Sequence, residues 1–113
     1  MSQEKVIWTG QSGKDYSYSV FDVDTAFNPN QNGNYIFAKK INNVWYAIYV
    51  GEGDIQTRTR DKEHRDCAIK KDASHIHCHL NNDATERKKE ESDILGFNNE
   101  AYAPSGCNKK IGG

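Results

Sequence analysis

The sequence predicts an α+β domain: a three-stranded antiparallel sheet flanked by helices, preceded by an N-terminal β extension. Two adjacent β-rich runs, Tyr35 to Lys40 and Val44 to Val50, are separated only by Ile41-Asn42-Asn43, which is the pattern of an antiparallel hairpin. A third β pattern, His75 to Leu80, alternates strictly, with Ile76, Cys78 and Leu80 on one side and His75, His77 and His79 on the other. Asp83-Ala84-Thr85-Glu86 has the spacing of a capping box and predicts a helix from Ala84 to Leu95 that stops at Gly96.

The remaining elements follow from local chemistry. In residues 1–32, Val6-Ile7-Trp8 is a short apolar run, and Tyr16, Tyr18 and Val20 alternate with Ser17 and Ser19 as in a half-buried strand. This extension is expected to pack on the same domain as residues 33–113. Asn28-Pro29-Asn30-Gln31-Asn32-Gly33 reads as a turn. Gly51-Glu52-Gly53 is expected to break the second hairpin strand, and Asp54 to cap a helix running through Arg58 and Arg60 that frays near His64. In the last helix Ala84, Ile94 and Leu95 define the apolar stripe. Glu91 then falls on the core side, while Arg87, Lys88, Lys89 and Glu90 take solvent-facing positions. Residues 97–113, with Pro104, Ser105-Gly106 and Gly112-Gly113, read as loop.

Composition narrows the function classes. At 113 residues the chain fits one core, and 35% hydrophobic with 27% charged residues is polar yet compatible with folding. A net charge of −1 gives no global attraction to nucleic acid or anionic membranes, so any such attraction is local. Residues 56–71, with six basic and three acidic side chains, are the candidate anion-facing patch. Cys67, Cys78 and Cys107 are odd in number and lack a C-x-x-C pair, which predicts neither a disulfide framework nor a zinc ribbon and suggests a reducing cytoplasm. No run is long enough for a membrane span, and MSQEKVIW lacks the order of a signal peptide.

Gly33-Asn34-Tyr35 opens the first hairpin strand and Tyr49-Val50-Gly51 closes the second, and the element order is hairpin, helix, strand, helix. In these features the chain resembles a GIY-YIG nuclease domain, whose two name-giving tripeptides stand here as GNY and YVG. The resemblance covers residues 33–108. It implies that Tyr35 and Tyr49 are the paired tyrosines, that Arg58 or Arg60 is the helix arginine, and that His64 is the site histidine. Glu91 would be the metal-binding glutamate, with Ile94 and Leu95 following it at the family's spacing, and Asn108 the terminal asparagine. The sequence departs from the pattern at Asn34, where isoleucine is usual. Arg60, not Arg58, stands at the commoner spacing of four from His64.

The chemistry implied is metal-dependent hydrolysis of DNA phosphodiester bonds. Mg2+, or Mn2+ in its place, keeps most of its waters and needs only one or two carboxylates, so Glu91 suffices as protein ligand. An arginine fork pairs two phosphate oxygens. Water activation falls jointly to Tyr35 and His64, since imidazoles titrate near neutrality whereas a phenol needs help to ionise. Tyr49 orients water or phosphate, and Asn108 buttresses the site. The modest charge suggests that DNA targeting needs a homodimer or a partner protein. Two alternatives stand beside this: a catalytically silent module of the same shape that binds nucleic acid or protein, and a metal-binding domain built on His75, His77 and His79 with His64 or Cys67 as a further ligand.

Overall fold

The computed structural model describes residues 3–109; Met1, Ser2 and residues 110–113, including Gly112 and Gly113, lie outside the described residues. In chain order its elements are β1 (Lys5–Thr9), β2 (Asp15–Asp22), β3 (Asn32–Ile41), β4 (Val44–Asp54), α1 (Ile55–Thr59), α2 (Lys62–Lys70), β5 (His75–Leu80), α3 (Ala84–Phe97) and a 3-10 turn, Asn99–Ala101. The α+β class stands, but the sheet has five strands, not three, in the order β1-β2-β5-β3-β4, with every pair antiparallel. The extra strands are the N-terminal extension, which joins the sheet through β2 against β5, with Ser19 opposite Cys78 and Asp22 opposite His75. Pairing across more than fifty residues leaves no local mark in a sequence.

The hairpin turn is set by Asn42 and Asn43, both in the left-handed region, with φ of 51° and 65°. Two positive φ values match the right-handed twist of the flanking strands. β4 does not break at the glycines: Gly51 pairs with Tyr35 and Gly53 with Gly33, and the strand ends only at Asp54. The helix that follows is also corrected, because Arg60 and Asp61 interrupt it. Asp54 caps α1 by accepting from the Thr57 amide at 3.0 Å, and Asp61 caps α2 by accepting from the His64 amide at 3.2 Å. His64 therefore lies in the first turn of a second helix instead of at the end of the first.

Two apolar layers cover the sheet. On one face Trp8, Tyr18, Ile36, Ala38, Ala47 and Val50 pack with Ile94 and Leu95 of α3. On the other Tyr35, Phe37, Ile48, Ile76 and Cys78 pack with Ile55 of α1 and Ala68 of α2. Each isoleucine fully withdrawn from water contributes about 1.5–3 kcal/mol, so Ile36, Ile48, Ile76 and Ile94 are principal holders of helices to sheet.

Three further expectations are corrected. The imidazole side of β5 is not a polar face: His77 is fully buried between Trp8 and Trp45, accepting from Trp8 Nε1–H at 2.9 Å, and burial pushes its pKa down to about 3. Leu80, placed with the apolar residues, is exposed. In α3 Ala84 is exposed while Arg87 and Glu90 are buried, because strand residues satisfy them. The Tyr18 hydroxyl donates to Glu90 at 2.5 Å, His79 Nδ1 lies 2.9 Å from the same carboxylate, and Arg87 donates to Glu52 at 3.0 Å. Finally, Cys67 and Cys107 form a disulfide and Cys78 is a free buried thiol, which overturns the expectation of unpaired cysteines. Among the described residues no helix is long and apolar enough to cross a membrane.

Candidate functional site

Gly51 is the centre of the candidate site. It faces Tyr35 across the hairpin, and the Tyr35 phenol folds into the space that a side chain would fill: a Cβ on Gly51 would lie 2.4 Å from Tyr35 Oη. Two residues earlier on the same face of β4, the Tyr49 ring sits 6.1 Å from that of Tyr35, and each phenol bears on the ionisation of the other. Tyr49 in turn stacks on His64, centroid to centroid 4.5 Å at 23°. His64 Nδ1 lies 2.7 Å from the Asp61 carboxylate, which fixes the ring and leaves Nε2 as its other nitrogen.

Arg58 reaches the same place from α1. It passes over Gly53, whose φ of +132° and missing side chain make room for it; a Cβ there would meet Arg58 Nε at 2.8 Å. Its charge acts on Tyr35, Tyr49 and Glu91 alike. Arg60 is instead the exposed C-cap of α1, its amide bonded to the Arg58 carbonyl. Of the two candidate arginines, Arg58 is the one gathered with the phenols.

Glu91 approaches from α3, on the opposite face of the sheet, and its electrostatic influence reaches both phenols. Burial, followed by the charge of Glu52, pushes its pKa up to about 7 against the opposing pull of Arg58 and Lys88. The phenols are also pushed up, each chiefly by burial. Asn108 does not enter this group directly. Its side chain imitates a neighbouring strand, accepting from the Val50 amide at 2.8 Å and donating to the Val50 carbonyl at 2.9 Å, and so fixes the residue between Tyr49 and Gly51.

Asn34, Glu52 and Arg87 support the site in ways their sequence context did not signal. Asn34 and Glu52 are cross-strand partners, and buried Asn34 donates to the Arg87 carbonyl at 2.8 Å, one turn of α3 before Glu91. Arg87 returns to hold Glu52. Asn34 thus ties α3 to the hairpin one turn before Glu91. An amide in an apolar strand was the available signal, since a buried amide needs a partner.

Among the described residues no three of His, Cys, Asp and Glu gather as a ready-made metal cage. A lone carboxylate suits an ion that retains its waters, and a half-buried Glu91 disfavoured in its charged form by desolvation and then by Glu52 gains by meeting a cation, so this donor set fits Mg2+ or Mn2+. The three β5 imidazoles are engaged separately: His75 with Ser74 and Trp45, His77 with Trp8 and Trp45, His79 with Glu90 and Tyr18. Cys67, considered as their companion, is bonded to Cys107. In comparison with known proteins, the chain matches no family, no curated protein and no solved structure.

Proposed function

We propose that this chain is a small GIY-YIG-type endonuclease that hydrolyses DNA phosphodiester bonds with one Mg2+ or Mn2+ ion held on Glu91. The reading is supported by the ring contacts of Tyr35, Tyr49 and His64 beside the bare Cα of Gly51, by Arg58 lying over Gly53, and by Glu91 standing near enough for both phenols to feel its charge. Such a mixture of one guanidinium, one carboxylate and hydroxyl donors suits a reacting phosphate better than it suits a hydrophobic core.

Arg58 supplies a planar fork for two phosphate oxygens from an exposed position that substrate can reach. The ion, when bound, neutralises charge on the phosphate and eases departure of the leaving oxygen. Burial keeps Tyr35 and Tyr49 protonated, so they act as hydrogen-bond donors that orient water and phosphate, and His64 Nε2 takes the water's proton. This divides the joint assignment of Tyr35 and His64: the phenol positions, the imidazole accepts. Asn108 buttresses β4. With a net charge of −1, intrinsic affinity for DNA is modest, and a second copy or a partner protein supplies targeting.

Nicking of supercoiled plasmid with Mg2+ or Mn2+ tests it, with Glu91→Ala, Tyr35→Phe and His64→Ala alongside. Cleavage by the wild type that falls at least about 100-fold in Glu91→Ala and His64→Ala supports the roles given. A folded wild type that nicks nothing removes the enzyme and leaves a silent nucleic-acid or protein binding module.

A further inference from the structure

Two members of the proposed site depend on the same cross-link. Cys67 lies on α2 three residues after His64, and Cys107 immediately precedes Asn108. α2 is nine residues long and buries only Ala68, so little apolar area holds it to the sheet. Among the described residues its other ties include Arg65 to the Val23 carbonyl and Asp24, Lys71 to the Pro104 carbonyl, and a Glu63–Lys109 ion pair at 3.9 Å, the last three at exposed positions. The segment around Cys107 exposes Ala103, Pro104 and Ser105 and buries Gly106, Cys107 and Asn108, and it meets β4 through the Cys107 amide on the Ile48 carbonyl and the Asn108 side chain on Val50.

We propose that the Cys67–Cys107 disulfide is a redox-operated clamp on the candidate site. When it is closed, α2 holds His64 against Tyr49 and the C-terminal segment holds Val50. When it is opened, both lose their strongest tie at once. The reductant is a dithiol. Its thiolate attacks the sulfur of Cys67, which lines an open surface cleft with Arg65, Asp66, Ile69 and Lys70, and Cys107, the more buried sulfur, leaves as thiolate. The reductant's second thiol resolves the mixed disulfide. Two electrons and two protons pass to the protein, giving two cysteine thiols, and the reductant departs as its own disulfide. Cys78 takes no part, because it is buried and its thiol is pushed up to about 12 by desolvation. The clamp itself stands on the packing; its control of cleavage rests on the nuclease reading.

The test compares air-oxidised wild type, the same protein in dithiothreitol, and Cys67→Ser. Thiol titration of the denatured protein should find one thiol before reduction and three after, since only Cys78 is free. Reduction should speed exchange of the Val50 amide by at least about tenfold and remove the His64 ring shifts caused by Tyr49, and Cys67→Ser should show both changes without reductant. Plasmid nicking should fall in parallel and return on reoxidation. Three thiols in the oxidised protein, or Val50 exchange and His64 shifts alike in both redox states, would overturn the clamp. Equal nicking in both states removes the control of cleavage and keeps the nuclease; no nicking in either, with the Val50 and His64 changes present, removes the nuclease and keeps the clamp.

Discussion

Tyr35 and Gly51 are cross-strand partners in which one residue's ring occupies the other's missing side chain, with Tyr35 Oη 2.4 Å from where a Gly51 Cβ would stand. Tyr35 is buried, so its ring has nowhere to retreat. Gly51→Ala should therefore displace the phenol, lower stability by about 1–3 kcal/mol and abolish plasmid nicking. Gly51→Ala with wild-type melting temperature and cleavage would show that the phenol's position is dispensable.

Asn108 spends its whole amide on Val50, accepting at 2.8 Å and donating at 2.9 Å. Asn108→Ala leaves a buried amide and carbonyl unpaired, each costing about 1–3 kcal/mol. Asn108→Asp keeps the acceptor but turns an oxygen toward the Val50 carbonyl, so it should also destabilise. Thermal melts of both variants should fall below wild type, and a melt of Asn108→Ala matching the wild type would refute the strand-mimic role.

The parts legible in the sequence are those with local signatures. The Asn42-Asn43 turn, the span of β5 and the Asp83 cap each depend on residues within a few positions of one another, and each lies where expected, although the faces of β5 do not. The five-stranded order was hidden because β2 finds β5 across the whole hairpin. The burial of Arg87 and Glu90 was hidden for a related reason: Glu52 and Tyr18, which satisfy them, come from distant strands. Glycine weakens a strand, so the sequence suggests a break at Gly51 and Gly53, whereas the missing side chains are filled by Tyr35 and Arg58. Within the candidate site, spacing could name residue types but could not choose between Arg58 and Arg60. The interruption at Arg60-Asp61 makes that choice, and it depends on a second cap that competes with helix continuation.

His77 predicts an acid-side weakness. Its pKa is about 3 in the folded protein against an ordinary 6.5, with burial the first cause and the nearby His75 the second. Below pH 6.5 the unfolded chain takes up a proton that the folded chain refuses, so this stability is whole above 6.5 and is lost as pH falls toward 3. The loss approaches about 5 kcal/mol. His77→Phe removes the titration at the cost of orphaning Trp8 Nε1–H, about 1–3 kcal/mol at neutral pH. Urea unfolding from pH 6.5 to 4 should show a shallower slope in the variant; equal slopes would mean that His77 titrates normally.

Glu91 predicts the opposite sign over an overlapping range. Its folded pKa is about 7 against 4.5 for the free side chain, raised first by burial and then by Glu52. Between these values the folded state binds more protons than the unfolded state, so stability falls as pH rises from 4.5 to 7 and the whole penalty stands above 7. A shift of this size corresponds to about 3 kcal/mol, which the residue's partial exposure reduces to about 1–2 kcal/mol. Glutamine imitates the protonated acid. Glu91→Gln should therefore melt with the wild type at pH 4 and above it at pH 8. A divalent ion should restore the wild type at pH 8 by favouring the charged carboxylate, and should leave the glutamine variant unmoved. Equal melts at pH 8 without metal would mean that Glu91 ionises without penalty and has no energetic reason to seek a cation, and the proposed site would then lose its anchor for Mg2+ or Mn2+.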